Sequence, residues 1–310
     1  MDHRILGKTG LRVSALSLGA SSLGGGVFRA VDESEAIRTV HAAIELGINF
    51  IDVSPFYGLT RAETVLGKAL RTVPRDQYYI ATKVGRYGDN EFDFSAQRVT
   101  ASVDESLSRL GLDYIDLIQS HDNEYGDLNQ IVNETIPALR KLQVAGKARF
   151  VGVTGYPLRM LETLVDRTEV DTILSYDHYS LNDTSLLSLL PVLKEKNVGV
   201  ISASPLSQGL LTNRGTPAWH GASDDIKQAC SKAAAWCREK NADITKLAVQ
   251  FSVRNPEIAT TLVGTASGTN IRNNVSWLEE PIDEELLDGV LEILNPIADK
   301  TWIVGRPENN

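Results

Sequence analysis

The chain holds 310 residues, 42% hydrophobic and 23% charged, and its 31 Lys and Arg against 40 Asp and Glu give a formal charge of −9. That length fits two domains of about 150 residues or one α/β barrel with insertions, and it buries a core without metal or disulfide staples. The acidic balance speaks against nucleic acid or anionic lipid as a partner, and no apolar run approaches the roughly 20 residues of a membrane span.

In chain order, Arg4–Leu6 and Leu11–Val13 flank Gly7–Gly10, which reads as a hairpin capping the bottom of the molecule. Strand-like runs follow at Arg12–Ala20, Phe50–Ser54, Tyr78–Gly85, Tyr114–Asp122, Ala148–Gly155, Thr172–Ser180, Val198–Pro205 and Thr260–Gly264. Between them the apolar period turns helical. Ala36, Ile37, Val40, Ile44 and Gly47 recur at helical spacing behind an Asp32/Glu35 capping box. Val99, Val103, Leu107 and Leu110 do so behind a cap at Ser95. Ser207 to Ser223, rich in Gly, Pro and Thr, reads as an insertion after the seventh strand. Cys230 and Cys237 lie in a helical stretch, too few for a metal site and not placed to pair. Eight strands alternating with helices predict one domain over 1–310, a closed parallel (β/α)8 barrel with an N-terminal hairpin cap and extended loops at its C-terminal face. No basic-plus-apolar signal opens the chain, so the cytoplasm is the expected location. No heptad seam shows, which leaves a monomer or homodimer as the expectation.

In such a barrel the chemistry gathers at the C-terminal ends of the strands. Those ends carry Asp52, Tyr57 just beyond it, Lys83 and His121. Each alone has a plain structural reading: a capping Asp, a loop-anchoring Tyr, a surface Lys, a satisfied core His. Around one mouth they form an acid–base device. Lys83, held as a cation by Asp52, is expected to lower the Tyr57 phenol by ~1–3 units from its usual value, while His121 orients the substrate oxygen.

The stretches RILGKTGLRVSALSLG at 4–19 and FIDVSPFYG at 50–58, Glu63 with Leu66 and Gly67, ATK at 81–83 and SHD at 120–122 resemble the aldo-keto reductases over almost the whole chain. The resemblance implies a (β/α)8 barrel, a nicotinamide dinucleotide, and Asp52, Tyr57, Lys83 and His121 as a catalytic tetrad. More narrowly, the stretches at 92–118, 173–191, 199–212 and PAWH at 217–220 resemble the L-galactose dehydrogenase branch, which oxidises aldoses at C1. Gly19, Gly24, Gly25 and Gly26 lack the spacing of a Rossmann fingerprint.

The resemblance instead puts the pyrophosphate under Ser204–Leu210 (Ser204, Leu206, Gln208, Gly209, Leu210) and the adenosine along Gly264–Asn274 (Gly264, Thr265, Ser267, Asn270, Asn274), with Thr154 also on the cofactor. None of the adenosine positions Gly264, Thr265, Ser267 and Asn270 is cationic, so NAD is expected over NADP, with Arg272 close by. Ala203 stands where many relatives stack a Tyr on the nicotinamide, and Tyr176 in the preceding strand is a candidate for that wall or an ordinary interior aromatic.

The mouth loops add Tyr87, Asp122, Asn123, Glu124, Tyr125, Trp219, His220 and Trp302, polar and aromatic groups of the kind a sugar needs. Asp122, Asn123 and Trp219 are expected on the substrate, with Tyr57 and His121. The expected reaction is oxidation of an aldose at C1 to the lactone, L-galactose to L-galactono-1,4-lactone first, with Tyr57 as the acid–base. L-Fucose or D-arabinose oxidation, a pyridoxal 4-dehydrogenase, an NADPH-dependent aldehyde reductase and a cofactor-sensing channel-type subunit stay open beside it.

Overall fold

The computed structural model describes residues 1–25 and 31–310; Gly26 lies outside the described residues. Two short strands, β1 (His3–Ile5) and β2 (Arg12–Ser14), pair antiparallel. Eight more close a parallel barrel: β3 (Leu16–Gly19), β4 (Phe50–Asp52), β5 (Tyr79–Val84), β6 (Ile115–Ser120), β7 (Ala148–Gly155), β8 (Thr172–Tyr176), β9 (Gly199–Ala203) and β10 (Thr260–Gly264), with β10 returning to β3.

The barrel follows from alternation along each strand. Ile51, Ile80, Val84, Ile118, Ile173, Val200 and Val263 face the surrounding helices, and Phe50, Ala81, Leu117, Leu174, Ile201 and Leu262 form a second, interior cluster. Leu6, Leu11 and Val13 of the hairpin join that interior cluster, so the hairpin plugs the bottom as expected. Gly7 makes the plug possible: φ is +50°, and an added Cβ would lie 2.3 Å from the Gly199 backbone nitrogen.

One expected strand is split. Arg12–Ala20 reads as one run, yet Arg12–Ser14 belongs to the hairpin and Leu16–Gly19 to the barrel. The Asn49 side chain accepts from Ser14 N at 2.8 Å and donates to the Arg12 carbonyl at 2.9 Å, occupying the groups a continuous ladder would use.

The helices are α1 (Glu33–Glu45), α2 (Arg61–Leu70), α3 (Ala96–Leu110), α4 (Leu128–Gln130), α5 (Ile136–Val144), α6 (Leu158–Arg167), α7 (Leu190–Glu195), α8 (Asp224–Glu239), α9 (Ile244–Val253), α10 (Gly268–Trp277) and α11 (Glu284–Leu294). Asp32 caps α1 by accepting from Glu35 N at 3.0 Å, and Ser95 caps α3 from Arg98 N. Glu63 and Gly67 are structural. Glu63 is fully buried and accepts from Thr82 and from Arg109, each at 2.6 Å, tying α2 to β5 and α3. Cys230 and Cys237 are buried free thiols on α8. Among the described residues no helix is long and apolar enough to cross a membrane.

Candidate active site

The alternation that fills the barrel with Phe50, Ala81 and Leu117 places Asp52, Lys83 and Gln119 two residues further on, facing inward at the C-terminal end. His121 follows on the same side, its amide donating to the Val84 carbonyl at 2.8 Å. Tyr57 comes from the turn after β4, its amide bonded to the Ser54 carbonyl at 3.1 Å. These groups meet at the floor of a cavity of about 800 Å³ that opens across the C-terminal face.

Lys83 is the hub. Its Nζ donates to Asp52 Oδ1, to the Val53 carbonyl at 2.9 Å and to Tyr57 Oη at 3.2 Å. Gln119, a residue the sequence reading passed over, donates to the second Asp52 oxygen at 2.8 Å. Burial works against the Lys83 charge, but Asp52 and Tyr57 outweigh it and hold the amine protonated, above its ordinary value. Burial pushes Asp52 above the usual carboxylate range despite Lys83 and Gln119.

The expected acidification of Tyr57 is corrected here. The phenol is pushed up to about 12: burial dominates, Lys83 opposes it, and Asp52 and Asp122 work with burial. The amine sits where it was expected, but its favourable field is smaller than the cost of burying the phenolate, and Asp52 offsets part of it.

Burial also pushes His121 down to about 3, leaving a neutral ring at physiological pH. Its Nδ1 lies 3.0 Å from Ser54 Oγ, which already accepts from Phe56 N at 3.1 Å. With the Ser54 hydroxyl donating to Nδ1, the ring proton is on Nε2, which faces the cavity; the opposite tautomer leaves Nε2 an acceptor. The Tyr57 and His121 rings stand edge to face, centroids 5.7 Å apart.

Beside them Asp122 turns into the cavity through a left-handed backbone, φ +47°, with its amide on Thr154 Oγ1 at 3.0 Å. Burial opposes its charge, but the Arg86 guanidinium, charged and hydrogen-bonded to it, holds its carboxyl below the usual range. Arg86 Nη1 donates to Asp122 Oδ2 at 2.6 Å. Arg86 was missed by sequence reasoning; its position three residues past Lys83, just beyond a barrel strand, was the available signal.

Asn123 is corrected as a substrate contact. It is fully buried, and its side chain is consumed by the Ser120 hydroxyl, the Ser120 carbonyl and the Thr154 carbonyl. Trp219 lines the cavity, as do Tyr125 and Trp302, whereas Tyr87, Glu124 and His220 lie behind the lining. His220 Nε2 contacts the Ser207 carbonyl at 3.1 Å, supporting the loop after β9.

The remaining wall carries most of the expected cofactor positions. Thr154, Tyr176, Ser204, Leu206, Gln208 and Gly209 line one stretch, and Gly264, Thr265, Ser267 and Asn270 another. Leu210 and Asn274 are buried and lie outside the lining of the cavity. Tyr176 Oη donates to Glu124 Oε1 at 2.6 Å. Glu124 is fully buried, and burial with the nearby Asp122 charge pushes it up to about 8. Ser204, Ser207 and Gln208 hold positive φ, so the loop after β9 is bent tightly at the cavity edge. Ser267 caps α10, turning that helix's N-terminus toward the same cavity. A dinucleotide therefore fits: a long cavity, a reactive end at the tetrad, and a helix terminus with bent backbone at the other.

Residues 15–295 match the aldo/keto reductase family. The chain belongs to that family. It is 52% identical to L-galactose dehydrogenase of Arabidopsis thaliana, over 100% of this chain and 99% of that one. D-arabinose 1-dehydrogenase of Saccharomyces cerevisiae is 35% identical over 74% of each chain, and D-threo-aldose 1-dehydrogenase of a Pseudomonas species 30% identical over 86% and 90%. Among solved structures, an aldo-keto reductase from Bacillus halodurans in its holo form superposes with a TM-score of 0.80 at 28% identity, covering 97% and 98% of the two chains. As an aldo-keto reductase the protein is an oxidoreductase acting on CH–OH groups, and the family's cofactors are nicotinamide dinucleotides.

Proposed function

We propose that this aldo-keto reductase oxidises a ring-closed aldose at C1 to its lactone with NAD, and that L-galactose, giving L-galactono-1,4-lactone, is its preferred substrate. The observation that carries the reading is Tyr57 Oη 3.2 Å from a buried, charged Lys83 Nζ on the floor of a cavity rimmed by Asp122, Tyr125, Trp219 and Trp302. The full-length similarity to an L-galactose dehydrogenase supports the choice of sugar.

A bound nicotinamide dinucleotide supplies the acceptor for the C1 hydride. Tyr57 Oη takes the proton of the C1 hydroxyl, and Lys83 stabilises the phenolate form that does so. The Nε2–H of His121 donates to the same oxygen and fixes its direction. Asp52 and Gln119 hold Lys83 rather than touch substrate. Thr154 and the loop from Ser204 to Gly209 support the nicotinamide and pyrophosphate, and Tyr176, anchored by Glu124, forms part of the nicotinamide wall.

The NAD preference rests on the adenosine end. Gly264, Thr265, Ser267 and Asn270 offer no cation for a 2′-phosphate; Arg272 lies outside the cavity lining, with its guanidinium beside Gly268, and Arg214, from another stretch of the chain, lines the same cavity. A protonated Tyr57 also equips the site for carbonyl reduction, the same step in reverse. The test is steady-state kinetics on L-galactose, L-fucose and D-arabinose with NAD and with NADP, beside reduction of simple aldehydes with NADH and NADPH. The expected result is the highest kcat/KM for L-galactose with NAD; preferential aldehyde reduction with NADPH overturns the reading.

A further inference from the structure

The tetrad accounts for the reacting C–O bond but not for the charge pair beside it. Asp122 Oδ2 accepts from Arg86 Nη1 at 2.6 Å, while Asp122 Oδ1 lies 3.4 Å from His121 Nε2, beyond good hydrogen-bond length, and makes no hydrogen bond among the described residues. Arg86 Nε is enclosed and has no hydrogen-bond partner among the described residues, so only the terminal guanidinium nitrogens can meet a ligand in the cavity. Both residues line the cavity. The guanidinium packs among aromatic rings: its Cζ lies 3.8 Å from the Phe56 ring centroid, with Phe92 and Tyr125 at 5.3 and 5.2 Å. Phe92 and Tyr125 stack on each other with centroids 4.5 Å apart, which stiffens that support.

We propose that Arg86 and Asp122 form a clamp for two neighbouring hydroxyls of a neutral sugar ring, Asp122 Oδ1 accepting from one and Arg86 donating to the other. This rests on the aldose reading above and goes beyond it by naming the specificity pair. Vicinal hydroxyls present a donor and an acceptor within one residue's reach, and a bridged carboxylate–guanidinium pair presents the complement. The charges neutralise each other, so the pair suits a neutral polyol rather than a carboxylate or phosphate. Asp122 adjoins His121, so the hydroxyls it reads belong to the part of the ring next to the reacting carbon. A preorganised pair of this kind rejects analogues lacking the hydroxyl because its own polar groups are then left unpaired.

The test uses L-galactose and its 2-, 3-, 4- and 6-deoxy forms, with NAD, on the wild-type enzyme and on Arg86→Lys and Asp122→Asn. Wild type is expected to lose about 10–100-fold in kcat/KM at two neighbouring positions and far less elsewhere. Each variant is expected to lose about 10-fold or more on L-galactose, chiefly through KM, but under about 3-fold on the deoxy form whose hydroxyl that residue holds. A merely structural pair lowers all forms alike; that result, or a flat wild-type deoxy series, overturns the clamp. The wild-type series stands by itself where a variant does not fold. Failure of wild type to oxidise any aldose while it still reduces 4-nitrobenzaldehyde with NADH overturns the aldose reading, and the clamp with it.

Discussion

Tyr57 and Lys83 show a neighbouring cation losing to burial. The amine is 3.2 Å from the phenol, yet the phenol is pushed up to about 12, because burial disfavours the phenolate and, with the Asp52 and Asp122 charges, outweighs the Lys83 cation. The sign for catalysis follows. Oxidation uses the deprotonated phenol, so log kcat for aldose oxidation should rise steadily from pH 6 to pH 10, while carbonyl reduction stays flat over that range. A plateau in the oxidation profile near neutrality, seen in pH-rate measurements free of buffer effects, would contradict the raised phenol. Tyr57→Phe should cost about 100- to 10,000-fold in kcat and leave the Kd for NAD, measured by fluorescence titration, within about two-fold. Glu124 carries a second pH effect. Its folded value of about 8 exceeds that of an unfolded glutamate, so the fold binds the proton more tightly and loses stability as pH rises from about 4.5 to 8. Glu124→Gln should raise Tm at pH 8 by about 2–5 °C and by less at pH 5. At this scale the sequence was legible where strand alternation decides direction, as for Asp52, Lys83 and His121. It was not legible at Asn123, because the left-handed turn at Asp122 sends neighbouring side chains to opposite destinations, nor for the acidity of Tyr57, which depends on how deeply the finished barrel buries it.

Elements were readable by period and caps, and misread where two elements share one period. The run from Arg12 to Ala20 stays strand-like throughout, so only the long-range bonds from Asn49 reveal that it serves a hairpin first and a barrel strand second. Glu63 and Gly67, part of the motif that carries the family resemblance, act between elements instead of in the cavity. Gly67 lets α2 lie against the end of α3: an added Cβ would come 2.3 Å from the Arg109 carbonyl oxygen, a backbone atom that cannot swing away. Gly67→Ala must therefore separate the two helices and strain the Glu63–Arg109 contact. It is expected to lower stability by about 1–3 kcal/mol in urea unfolding. Because Thr82 on the far side of Glu63 precedes Lys83 in β5, the same variant should lower kcat modestly while the KM for NAD holds.

Across the whole molecule, barrel closure assigns stability to one end and chemistry to the other. The Leu6, Leu11 and Val13 plug seals the bottom, and the cavity takes the top. The chain as a whole carries a formal charge of −9, a background that disfavours additional negative charge on a ligand unless a local cation offsets it. Near the adenosine end the lining from Gly264 to Asn270 provides hydroxyl and amide groups and the N-terminus of α10, but no side-chain cation among its described residues. NAD can use those donors fully, whereas the extra phosphate of NADP brings about two further charges into the same acidic field. The ratio of kcat/KM for NAD over NADP should therefore exceed one, and it should grow as ionic strength falls and screening weakens. Asn270→Arg places a guanidinium on the exposed side of the α10 terminus, where it can pair with a 2′-phosphate, and should narrow that ratio by about 10-fold, chiefly through the KM for NADP. If the ratio is unchanged in this variant and the wild type shows no dependence on salt, the preference has another origin than charge at this end of the barrel.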